Sequence, residues 1–264
     1  MRVLKAFAPI LKQLLKPGEE ILLAVRGCSP MSFLEQITTG AFIVYLRRCV
    51  LVFTNKRILH FPSTIRFSPR KSVAQVIYGD IEGFKLSGFL SRVFTVKYKS
   101  GKKENFHYLT PREMKKLKTL LPSLVQGGQP SEVRERHHLC PRCQTPLQRD
   151  RFSCPHCHLR FKDRQEATRW SLLYPGGGYF YTRHPFLGIG DAIGEAALFI
   201  ILIAALVDIF TGTPDPGGWV ILAVIGVTLF FEKAITVYHA RHYVDEYIPL
   251  EENFVPVTIT APYR

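Results

Sequence analysis

Read from the N-terminus, the spacing of apolar residues changes its period three times. Leu4, Phe7, Leu11, Leu14 and Leu15 fall on one helical face with Lys5, Lys12 and Lys16 elsewhere. This predicts an amphipathic helix over residues 1–16, lying on its own domain or on a membrane surface. From Glu20 onward the pattern is that of short strands, at 21–26, 42–46, 50–54, 57–61, 73–78, 93–98 and 104–108. Turn signals at Thr54-Asn55-Lys56 and Ser100-Gly101 join several of them. Thr110, Pro111 and Glu113 then carry the signature of a helix start, with Thr as cap, Pro in the first position and Glu reaching back. Met114, Leu117, Leu120 and Leu121 give that helix an apolar face opposite Lys115, Lys116 and Lys118. The expectation is a domain of antiparallel strands closed by a C-terminal helix over 17–126, followed by a linker at 127–135 rich in Gly, Gln and Pro.

The third period is continuous. Residues 192–210 are nineteen positions in which Glu195 and Asp208 alone are charged, and 219–231 are thirteen apolar positions extended past Glu232 and Lys233 to Tyr238. Crossing a hydrocarbon core of about 30 Å takes about 20 helical residues, so both stretches qualify as spans. The connector 211–218 has no Lys or Arg, whereas Arg164, Arg169, Arg183 and Arg241 flank the other ends, which places both termini on the cytoplasmic side. A juxtamembrane segment over 163–190 precedes this transmembrane hairpin at 191–244, and an acidic tail over 245–264 follows it. Glu195 lies fifteen residues before Phe210 and Lys233 fifteen after Gly218. In an antiparallel hairpin both lie about 22 Å from the outer turn, where an unpaired charge is costly, so they are expected to pair. Gly190, Gly194, Ala223 and Gly226 offer close-packing positions for oligomers or a larger partner. In the tail, residues 254–260 alternate like a strand that either adds to a sheet edge or stays disordered.

Charge sharpens this division. Residues 1–135 carry 23 Lys/Arg against 9 Asp/Glu, 136–190 carry 9 against 3, and 191–264 carry 3 against 9. The first 190 residues are therefore +20 and the remainder −6, an asymmetry suited to a body held beside anionic lipid, nucleic acid or an acidic partner, of which the apolar segments favour lipid. Two clusters are candidates for that contact: Arg66, Arg70 and Lys71 in one loop, and Lys97, Lys99, Lys102 and Lys103 around another.

Cysteine spacing supplies the one strong chemical signal. Cys140-Pro-Arg-Cys143 and Cys154-Pro-His-Cys157 put four thiols on two tight turns, the pattern of a zinc ribbon over 136–162 with a closed, structural Zn²⁺. His137, His138, His156 and His158 crowd this site and read as exposed knuckle histidines. Cys28 and Cys49 read as ordinary buried thiols in a reducing compartment.

The strand pattern with its capping helix, and the run LVFTNKRILHF from Leu51 to Phe61, resemble the pleckstrin-homology-like domains of bacterial proteins, with IYGDI from Ile77 to Ile81 resembling their next strand. The resemblance implies a strongly bent antiparallel sheet plugged by a helix, a binding scaffold with no chemistry of its own. The spacing P-G-x-G-x-x-Y from Pro175 to Tyr181 resembles a widespread bacterial family of small membrane proteins with two transmembrane helices. The fold class expected is thus an α+β multidomain membrane protein of the bacterial inner membrane. No Ser/His/Asp set, dinucleotide fingerprint or open metal site is present in the sequence. Its expected role is a non-enzymatic, membrane-anchored adaptor or accessory subunit, docking a protein partner, a second copy or anionic headgroups, as in an envelope or lipid-transport assembly. The alternative is a membrane-tethered nucleic-acid binder acting through Arg142, Arg149 and Arg151.

Overall fold

A computed structural model describes residues 2–40, 43–88, 92–126, 128–212 and 216–251, and the alternating stretch 254–260 lies outside them. The described chain forms two compact units: one runs to Arg160 and resumes at Glu246, the other is Phe161–Asp245. In the first, α1 (Arg2–Leu14) precedes β1 (Ile21–Cys28), the short helices α2 (Phe33–Thr39) and α3 (Ile43–Leu46), and the antiparallel strands β2 (Arg48–Thr54), β3 (Arg57–Pro62) and β4 (Val73–Ile77). A tight turn at Tyr78–Asp80 leads into a second antiparallel sheet of β5 (Ile81–Ser87), β6 (Val93–Tyr98) and β7 (Lys103–Phe106). α4 (Pro111–Val125) follows, and β8 (His137–Leu139) returns to the first sheet, whose order is β1-β2-β3-β4-β8.

Strands β2, β3 and β4 of the first sheet are buried on both faces, which is why β2 reads as an apolar run rather than as alternation. Cys49, Leu51, Phe53 and Ile58 face one core with Phe94, Val96 and Phe106 of the second sheet and Leu117 and Leu121 of α4. Val50, Val52, Leu59 and Phe61 face the other, with Phe7, Leu11 and Leu14 of α1. The N-terminal helix therefore docks on its own domain. α4 begins as its sequence predicts: Thr110 Oγ1 accepts from the Glu113 amide and Glu113 accepts from the Thr110 amide.

Two strand expectations need correction. Residues 43–46 form α3 and not a strand, although Ile43 and Val44 favour extended backbone; β2 already pairs with β1 from Cys28↔Arg48 onward, leaving no partner for an intervening strand. β5 was hidden because Glu82, Gly83 and Lys85 interrupt its apolar pattern, and the IYGDI run is a 3-10 turn with only its ends extended. The cysteine segment also differs from a separate module, since β8 pairs with β4 through Val73↔Leu139 and Gln75↔His137.

The second unit contains α5 (Arg164–Leu173), capped by Asp163, then α6 (Gly177–Tyr181), α7 (Pro185–Thr211) and α8 (Pro216–Val244). α7 and α8 run antiparallel, since Asp191 meets Thr236 while Glu195 meets Lys233. Their 27 and 29 residues give about 40 and 43 Å of helix, long and apolar enough to cross a membrane. Only 6% and 11% of the residues in their most apolar windows are buried within the protein, unlike core helices of a water-soluble domain. The glycine run explains how the turn packs beneath them. Gly176 is left-handed at φ 64°, and a Cβ there would overlap the Gly188 carbonyl; on Gly178 it would overlap the Ser171 hydroxyl and crowd Ala240 of α8. Gly190, Gly194 and Gly226 instead face open space, so they take no part in the α7–α8 contact.

Candidate metal centre

Two turns of the same construction hold the four cysteines. In the first, Gln144 N–H donates to Cys140 O at 2.8 Å and Cys140 N–H to Thr145 O at 2.9 Å. In the second, His158 N–H donates to Cys154 O at 3.1 Å and Cys154 N–H to Leu159 O at 2.9 Å. The residue after each second cysteine is left-handed, Gln144 at φ 60° and His158 at φ 56°, which turns the amides back toward the sulfurs. Cys140 Sγ lies 3.5 Å from Cys157 Sγ, Cys143 Sγ lies 3.5 Å from Cys154 Sγ, and all four fall within 4.8 Å of one another. Four thiolates about 2.3 Å from a central ion would be separated by about 3.8 Å, so this set can hold a tetrahedral metal ion with little movement. With four sulfur ligands, no position is left for water or substrate.

Burial pushes the Cys140 thiol up. Burial acts the same way on Cys143, but hydrogen bonds from the Thr145 side chain and backbone outweigh it and hold that thiol at about 6. Cys28 and Cys49 differ from the cluster: both are buried, and burial raises the Cys28 thiol to about 11 and the Cys49 thiol further. They have the character of inert core thiols.

The hairpin is tied down from several sides. Arg136, at its entry, makes two bonds of 2.8 and 3.0 Å to Glu104 of β7, which also accepts from Tyr98 OH at 2.8 Å. Gln144 Nε2 donates to the Gln13 carbonyl of α1. The returning tail completes the packing: Tyr247 stacks on Phe152 at 5.6 Å and donates to Gln148 O at 2.8 Å, Ile248 is buried, and Leu250 N–H donates to Arg160 O at 3.0 Å. Its first part is therefore a structural segment, a role signalled only by the apolar Tyr247-Ile248-Pro249-Leu250 that follows Asp245 and Glu246.

The histidine expectation divides. His156 and His158 are exposed, but His137 is buried against Gln75 and His138 packs on Tyr247 at 4.9 Å, because β8 carries them into the sheet. All four stay outside the sulfur cluster. Of the alternative arginine set, Arg149 and Arg151 are exposed and Arg142 is half-buried.

The other singled-out residues fall in separate places. Arg66 is exposed in the β3–β4 loop, with Arg70 and Lys71 half-buried beside it. Around the β6–β7 turn, Lys97 pairs with Glu82, and Lys102 lies 3.4 Å from Glu104 and 3.7 Å from Glu135. Lys99 and Lys103 are exposed there, so acidic neighbours offset much of the second cluster's charge. In the helical hairpin, Lys233 Nζ lies 2.6 Å from Glu195 Oε2 and donates to Ser171 O at 2.9 Å. Three residues that sequence reasoning did not single out join them: carboxylate oxygens of Asp191 and Glu232 lie within 4.8 Å of that of Glu195, and Thr236 Oγ1 lies 3.0 Å from Glu232 and 3.1 Å from Asp191. The i, i+4 spacing of Asp191 with Glu195 was the available signal.

No protein-family model matches this chain, and no curated protein matches it. Among solved structures it is similar to the C-terminal domain of an unknown protein from Leishmania infantum, at 13% identity and a TM-score of 0.33, over 47% of this chain and 98% of that one. A likeness of that size carries neither fold nor function across.

Proposed function

We propose that this chain is a two-pass anchor of the bacterial inner membrane that holds a cytoplasmic, zinc-stabilised docking body, acting as an adaptor or accessory subunit without chemistry of its own. The observation that carries the reading is the exposure of α7 and α8, whose apolar windows are 6% and 11% buried. Helices of this length and polarity need a nonaqueous surrounding. Four strands followed by three and a closing helix support the pleckstrin-homology-like assignment of the body, and with it a binding role for a protein partner or anionic headgroups. Among metals, Zn²⁺ suits four thiolates in a closed tetrahedral set. Bound there, it would supply a cross-link between the two turns. Cys140, Cys143, Cys154 and Cys157 are its ligands in this reading, with Thr145 orienting Cys143.

The test is purification of the tagged full chain from native membranes in mild detergent. A stoichiometric protein partner, retained after Arg142, Arg149 and Arg151 are neutralised, supports the adaptor. Salt-sensitive nucleic acid lost on that neutralisation would replace the adaptor with a nucleic-acid binder. Recovery of the chain in the soluble fraction without detergent would refute the anchor.

A further inference from the structure

α2 is only seven residues long but firmly built. Glu35 N–H donates to Ser32 Oγ at 3.1 Å, and the Ser32 amide donates to the Glu35 carboxylate at 3.4 Å. Glu35 is fully buried and paired with Arg47, which also reaches Glu246 at 2.7 Å. The helix thus turns its one acid inward and its apolar side chains outward, the reverse of an ordinary surface helix. Phe33 is 77% exposed, Ile37 61%, Leu34 50%, and Tyr45 of α3 47%.

Two observations bear on what would cover this face. The first is charge: the described part of α2 and α3 exposes no carboxylate, and its rim is cationic. The Arg48 guanidinium lies 4.9 Å over the Tyr45 ring and 4.8 Å over Phe67, and Arg66 is exposed in the adjoining loop. Apolar and aromatic side chains edged by arginines match the headgroup–acyl boundary of an anionic leaflet. The second is the tether. α8, at about 43 Å, equals the thickness of a bilayer with its headgroups, and it ends at Val244. Glu246, which Arg47 holds, follows two residues later.

We infer that α2 and α3 form an interfacial element that inserts Phe33, Leu34 and Ile37 into the anionic leaflet crossed by the hairpin. The inference rests on the reading of α7 and α8 as spans.

The test uses the full chain in nanodiscs of phosphatidylcholine and phosphatidylglycerol doped with a phospholipid bearing a photoreactive acyl chain, with cross-linked peptides mapped by mass spectrometry. Adducts are expected on α7, on α8 and on the peptide containing residues 33–46. Leu34→Asp with Ile37→Asp should lower the α2 adducts at least about fivefold while α7 and α8 adducts and bound metal stay unchanged. Should that variant lose its metal, wild-type protein in discs of phosphatidylcholine alone serves instead, with α2 adducts falling at least about twofold and hairpin adducts holding. Adducts on α7 and α8 but none on α2 overturn the inference and leave the anchor standing. Adducts nowhere overturn both. An α2 face cross-linked to a second copy or to a co-purifying protein, or α2 adducts indifferent to both the acidic substitutions and lipid charge, also overturns it.

Discussion

Replacing Glu104 by Gln keeps the shape of the side chain but leaves Arg136 as a buried charge without its counterion. The side chains are 4% and 15% exposed, and their two hydrogen bonds are 2.8 and 3.0 Å. Burial alone would push the Glu104 carboxyl up; the Arg136 guanidinium overrides it and holds the group at about 2, against an ordinary value of 4.5. At 1.36 kcal/mol per unit, that depression corresponds to about 3 kcal/mol of folded-state stabilisation. Breaking a buried pair by removing one partner independently predicts about 3–5 kcal/mol. Because the chain has two compact units, one global unfolding free energy is not the right measure. Hydrogen exchange of β6, β7 and β8 in the full-length protein reads the local loss, and about 3 kcal/mol should accelerate it about 100-fold. The sign of the pH dependence follows from the same group. Its folded pKa is depressed, so the stabilisation is complete above about 4.5 and disappears as pH falls toward 2, and the Gln variant should lack that loss. Glu104→Leu with Arg136→Met should recover most of the protection, since no charge is then stranded. A single variant that loses under about 1 kcal/mol, or a double variant as damaged as the two singles combined, would refute the argument.

Cys143→Ser should lower bound metal to near none by elemental analysis and unprotect the two cysteine turns between Cys140 and Cys157, because a four-thiolate site contributes about 10 kcal/mol or more to holding such turns together. Reversing Glu195 to Lys or Lys233 to Glu should each lower the membrane level of the chain, and the double exchange should restore it; no recovery in the double would show that the 2.6 Å pair is not energetically coupled. Gly178→Ala should cost about 1–3 kcal/mol, seen as a lower melting temperature in detergent, because its methyl overlaps Ser171 and crowds Ala240. Gly190→Ala, facing open space, should be close to neutral in the same assay.

Sequence alone determined the features whose physics is local. Four thiols in two CxxC turns have few other uses, a mostly apolar run of helical length has few other homes, and a Thr-Pro-Arg-Glu start at Thr110 needs only its own four residues to form a cap. Residue counting along two antiparallel helices was also enough to bring Glu195 and Lys233 to the same level. Tertiary structure decided whatever depends on distant partners. That 43–46 is helical follows from β1 and β2 already being paired; that β8 joins the main sheet follows from the free edge of β4. Tyr247 seals the cysteine hairpin although about a hundred residues separate it from Gln148. Glu35 faces inward because Arg47, itself held by Glu246, pairs with it there, and this leaves Phe33, Leu34 and Ile37 outside. Helical period tells which residues share a face, but which face is buried is set by long-range contacts that the period does not encode.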